Sequence, residues 1–162
     1  MSDPYDLQRF VDAQDPVYDK VRAELRDGSK RSHWMWFIFP QIIGLGSSPL
    51  ARRFALSSLS EATAFLEHPI LGPRLAECTR LVNRVEGRPI EQIFGSPDDL
   101  KFRSSMTLFA RATPANRVFL DALQKYFKGE FDPATLSRLQ ARRRLRNAGK
   151  LMPRWPSTGM VP

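Results

Sequence analysis

Six times along this chain of 162 residues a short polar residue stands directly before a proline: Asp3-Pro4, Asp15-Pro16, Ser48-Pro49, Ser96-Pro97, Thr113-Pro114 and Asp132-Pro133. A side-chain oxygen at the N-cap accepts from a free amide of the first turn, and proline at the next position loses nothing by lacking an N–H. Each pair therefore marks a helix start. Gly28, Gly87, Gly129 and Gly149 follow helical-period segments where a left-handed cap residue is wanted. Between these marks the spacing predicts helices near 5–14, 16–27, 31–38, 49–56, 59–67, 70–85, 97–111, 114–127 and 133–148, with a helical turn at 90–94. Val17, Val21 and Leu25 repeat at i, i+4, i+8, and Phe119, Leu120, Leu123 and Phe127 make a second apolar stripe, so both faces are expected to be buried. The six apolar residues Trp34 to Phe39, ended by Pro40, fit a short buried helix better than a strand. The fold class is all-α: a multihelical single domain of about eight or nine short helices.

Composition bounds what such a domain does. At 42% apolar and 26% charged residues the chain can bury a core without disulfides or metal. Its lone cysteine, Cys78, lies in the apolar stretch Leu75, Cys78, Leu81, Val82 and reads as a core residue. Two histidines and one cysteine make a zinc site an unfavourable reading, and no metal or cofactor is expected. Met1 to Phe10 lacks the apolar run of a signal peptide, and no run approaches the roughly 18 apolar residues of a membrane span. A cytoplasmic, membrane-free, monomeric protein is expected.

The net charge of +8 is unevenly placed. Seven bases and no acid fall between Arg138 and Pro162, which leaves eighteen bases against seventeen acids before them. We therefore divide the chain into a helical domain, residues 1–140, and a basic, Pro-containing extension, 141–162. The arginines Arg142, Arg143, Arg144 and Arg146 are the candidates for any nucleic-acid affinity, which would be salt-dependent and indifferent to sequence.

Two segments combine polar chemistry with apolar surroundings. The first runs from Lys30 to Ser48 and holds His33, Trp34, Trp36, Gln41, Gly44, Gly46 and Ser47. An imidazole supplies general acid–base chemistry, an indole stacks on rings, and a glycine-hydroxyl loop opening a helix can hold an anion. The glycines match no nucleotide fingerprint, however, and Ser48 as a simple helix cap explains them equally. In the second, Lys101, Ser104 and Ser105 share one face of a helix by the i, i+3, i+4 rule and offer an ammonium and two hydroxyls to an oxyanion, or to neighbouring backbone. Polar groups inside very apolar segments need partners or a purpose. The working expectation is a pocket with His33 as proton donor or acceptor and Trp34, Trp36, Gln41, Gly44, Gly46, Ser47, Lys101, Ser104 and Ser105 binding a small phosphorylated or nucleotide-like ligand. A helical module that binds a protein or peptide is the second reading, and nucleic-acid binding through the arginines the third.

The string Ser32-His33-Trp34-Met35-Trp36-Phe37-Ile38-Phe39-Pro40-Gln41, with Gly44-Leu45-Gly46, His68-Pro69, Phe94-Gly95, Asp98, Lys101 and Ser104 to Phe109, resembles a bacterial and fungal family known as domain of unknown function eighteen-ten. The resemblance runs from about residue 5 to residue 139. It implies a multihelical fold and carries no established activity.

Overall fold

Helix starts and stops govern the chain's path. In the computed structural model, which describes residues 2–151, ten helices follow one another: α1 (Gln8–Gln14), α2 (Tyr18–Arg26), α3 (Met35–Ile38), α4 (Pro49–Arg53), α5 (Leu59–Glu67), α6 (Leu71–Arg84), α7 (Ile90–Phe94), α8 (Asp98–Ala112), α9 (Arg117–Phe127) and α10 (Pro133–Leu151). Among the described residues the only β pairing is a bridge between Ile42 and Leu56, and the fold is all-α.

Two of the six cap-proline pairs act as the simple rule requires. Ser48 Oγ accepts from the Ala51 amide at 3.1 Å, and Asp132 Oδ2 accepts from the amide and hydroxyl of Thr135 at 3.1 and 2.6 Å. Asp3 reaches the amides of Leu7 and Gln8 at 2.8 and 3.0 Å from outside the helix. Thr113 holds only the Ala115 amide in the turn before α9. Asp15 and Ser96 cap nothing, since α2 begins after Val17 and α8 after Pro97 with no side-chain cap. The Asp15 carboxylate is instead paired with Arg74 at 2.9 Å. Ser58, which no proline follows, caps α5 through the Glu61 amide. Its signal was the Ser-x-x-Glu spacing of a capping box, with Glu61 reaching back to the Ser57 amide at 2.8 Å. Gly149 lies inside α10 rather than ending it; a helical glycine costs only about 1 kcal/mol relative to alanine, too little to force a stop.

Helix α8 runs through the middle of the bundle, packed by α5, α7, α9 and α10. Its aromatic residues join two clusters. Phe102 stacks on Phe94 at 4.9 Å and meets Phe39 edge-on at 5.0 Å, and Phe109 lies between Phe65 and Phe119 at 5.4 and 5.8 Å. Trp34, Met35, Ile38 and Phe39 are buried around the single turn of α3, whereas Trp36 and Phe37 are half-buried. The stripe on α9 buries Phe119 and Leu123 and leaves Phe127 half-buried. Cys78 is fully buried, and loss of hydration pushes its thiol up to about 12, the behaviour of an inert core residue.

Helices α5 and α6 meet at Gly72, where an added Cβ would lie 2.0 Å from the Leu66 carbonyl oxygen. Backbone cannot yield as a flexible side chain does. Gly72→Ala is expected to cost about 1 to 3 kcal/mol, read in thermal unfolding as roughly 2 to 4 °C per kcal/mol for a chain of this size.

Candidate functional site

The first turn of α8 collects charges from two distant parts of the chain. Asp98 Oδ2 lies 2.9 Å from Lys30 Nζ, and Oδ1 lies 3.3 Å from Lys101 Nζ. The Lys30 ammonium sits 5.2 Å above the Trp34 ring and that of Lys101 5.2 Å above the Trp36 ring. One carboxylate thus stands between two cation–π pairs. Trp34 is 1% exposed, and its indole N–H donates to Glu24 Oε1 at 3.0 Å. Glu24 also accepts from the amides of Arg31 and Ser32 and from the Ser32 hydroxyl. Burial pushes its pKa up, but these four hydrogen bonds outweigh that and hold it at about 2. The segment after α2 is therefore pinned by a carboxylate that stays ionised at neutral pH.

The residues singled out in the sequence are distributed as follows. Trp34, Trp36 and Lys101 meet around Asp98, joined by Lys30. His33 is exposed and makes no side-chain hydrogen bond among the described residues. Gln41 is half-buried, and its backbone carbonyl accepts from Leu56 beside the bridge. The glycines of the loop serve close approach: a Cβ on Gly44, at φ +99, would lie 2.8 Å from Arg138 Nη1, and one on Gly46 would lie 2.7 Å from Ala51 Cβ. Ser47 is exposed. Ser104 Oγ lies 2.9 Å from Asp132 Oδ2 and 3.1 Å from the Leu100 carbonyl, so it ties α8 to the start of α10. Ser105 is fully buried, and its hydroxyl has no partner among the described residues. Neither of two surface cavities, of about 560 and 760 Å³, is lined by His33, Trp36 or Lys101.

The smaller of these cavities is the stronger candidate for a site. It opens where the start of α5, the end of α8 and the stretch of α10 from Leu136 to Leu145 converge, and among the described residues Arg111, Arg142 and Arg143 line it without any acidic residue. No carboxylate lies within 4 Å of these three guanidiniums among the described residues. Arg111 is steadied by the Phe131 ring, 5.3 Å from its guanidinium carbon. Ser58 Oγ, which accepts from Glu61 at 3.1 Å, keeps its own proton free to donate at the rim. Two of these arginines were singled out in the sequence as polyanion contacts. Arg144 is exposed but outside the cavity lining, and the side chain of Arg146 and residues 152–162 lie outside the described residues. Sequence reasoning missed Arg111 and Ser58 because their link to α10 is purely spatial. Among the described residues no cluster of His, Cys, Asp and Glu suited to a metal ion occurs, and no helix is long and apolar enough to cross a membrane.

A model of the family described as Protein of unknown function (DUF1810) matches residues 4–139. The chain is also similar to the conserved hypothetical protein Rv1873 from Mycobacterium tuberculosis, known from a crystal structure, at 64% identity and a TM-score of 0.85 over 85% of this chain and 99% of that one. No curated protein matches it.

Proposed function

We propose, for a chain that belongs to the DUF1810 family of unknown function, that it binds a small molecule carrying a phosphate or carboxylate in the cavity between α5, α8 and α10. The observation that carries this reading is that three arginines line one cavity with no acidic residue beside them among the described residues. Like charges gathered at one concavity repel, and an anion relieves that repulsion while engaging the planar forks in pairs of hydrogen bonds. A volume of about 560 Å³ falls within the roughly 300 to 1,000 Å³ of ordinary ligand sites. His33, Trp36 and Lys101 do not line this cavity, so the reading calls for binding and names no proton-transfer group.

The test is thermal unfolding of the full chain with pyrophosphate. At ten times the dissociation constant the melting temperature is expected to rise by about 3 to 5 °C. The double variant Arg142→Ser, Arg143→Ser should lose the rise, whereas Arg144→Ser should keep it, because Arg144 lies outside the cavity lining. Equal losses in both variants would instead favour a long polyanion laid along α10, whose Arg142, Arg143 and Arg144 are all exposed.

A further inference from the structure

Resting on that anion reading, we infer that the cavity's ligand is an aliphatic anion, with a phosphate or carboxylate head and an unbranched hydrocarbon tail. The walls point to this. Leu59, Leu136, Leu139 and Leu145 line the concavity beside the arginines, and among the described residues no aromatic side chain lines it. A nucleoside or other ring is held chiefly by stacking on an aromatic face. The two tryptophans placed by the structure are occupied elsewhere, Trp34 buried on Glu24 and Trp36 beneath Lys101. Leucines offer no flat face, only methyl surface suited to a chain of methylenes.

Exposure supports the same conclusion. Leu145 is 73% exposed and Leu59 36% exposed, and both border the cavity that Arg111, Arg142 and Arg143 also line. Either feature is unremarkable alone, since single apolar residues are common on protein surfaces. Together they form an amphiphilic concavity, cationic at Arg111, Arg142 and Arg143 and apolar between the helices. A ligand that is only charged leaves the leucines wet, and one that is only apolar leaves the guanidiniums unanswered. A molecule with both parts covers both. Ser58 adds a hydroxyl proton at the start of α5, where first-turn amides also favour negative charge.

The experiment is isothermal titration of the full chain with four soluble probes, inorganic phosphate, decanol, decanoate and decyl phosphate, and with phosphatidylglycerol vesicles as a separate arm. Decyl phosphate is expected to bind at least tenfold more tightly than inorganic phosphate and than decanol, with decanoate between. Leu145→Ser and Leu59→Ser, both at exposed positions and so compatible with folding, should weaken decyl phosphate at least threefold and leave phosphate unchanged. Equal affinity for phosphate and decyl phosphate would overturn the tail and leave the anion reading standing. Equal affinity for decanol and decyl phosphate would remove the anion reading with it. Binding to vesicles without binding to soluble decyl phosphate would make the face a membrane contact and overturn the cavity as a ligand site.

Discussion

Glu24→Ala is expected to destabilise the domain by roughly 4 kcal/mol or more, because it strips the shared acceptor from four buried or half-buried donors at once. The amides of Arg31 and Ser32 lie 2.7 and 3.1 Å from Oε1, the Trp34 indole nitrogen 3.0 Å from it, and the Ser32 hydroxyl 2.6 Å from Oε2. Alanine leaves all of them without an acceptor beside a residue only 3% exposed. Glu24→Gln keeps one acceptor oxygen and loses the charge, so its cost should be nearer 2 kcal/mol. The pH dependence follows from the direction of the shift. The folded protein holds this carboxyl at about 2, below its ordinary 4.5, so the folded state takes up a proton less readily than the unfolded chain. The resulting stability, roughly 3 kcal/mol, is complete above pH 4.5 and is lost as pH falls toward 2. Urea unfolding followed between pH 6 and 2 should show that loss in the wild type and a correspondingly shallower slope in Glu24→Gln. Parallel slopes would place the acid sensitivity elsewhere.

Phe102→Ala is expected to cost about 3 to 5 kcal/mol, the range for removing a fully buried aromatic side chain. Phe102 is 0% exposed and touches three other phenylalanines, Phe94 at 4.9 Å, Phe39 at 5.0 Å and Phe127 at 6.4 Å. Those partners come from α7, from the segment after α3 and from α9, so the ring joins four parts of the chain and few of its neighbours can collapse into the space it leaves. Phe127→Ala is the internal control. Its ring is half-buried at the margin of the same cluster, and the loss should be about half as large. Chemical denaturation with an unchanged slope would read the difference directly. A cost below about 1 kcal/mol at Phe102 would mean that the cluster closes over the gap.

The proposed anion site and the structural pin around Asp98 separate two kinds of polar residue that looked alike in the sequence. Lys101 and Trp36 stand among apolar neighbours because Asp98 and a cation–π contact satisfy the ammonium. Arg111, Arg142 and Arg143 have no carboxylate partner among the described residues, and Arg111 rests only against the Phe131 ring. Polar atoms with partners hold the fold, and charges without them are what a ligand can use.

What the sequence by itself determined was local. Caps, prolines and apolar spacing act within one or two turns, and they placed nine helices and the turn that is α7 within a few residues, put Trp34, Met35, Ile38 and Phe39 in the core and identified the core face of α9 through Phe119 and Leu123. The family resemblance was legible for the same reason, being carried by contiguous residues. Tertiary structure alone decided which polar groups find each other. Asp15 looked like a cap and became the partner of Arg74, Glu24, which no local spacing singles out, became the buried acceptor of Trp34, and Lys30 met Lys101 across Asp98. The candidate cavity is of the same kind, since Ser58, Arg111 and Arg143 lie on three helices whose spacing in the chain carries no record of their meeting. Hydrogen bonds within a helix depend on neighbours four residues away, whereas ion pairs and concavities depend on how whole helices pack, and that is settled by the burial of the entire apolar surface at once.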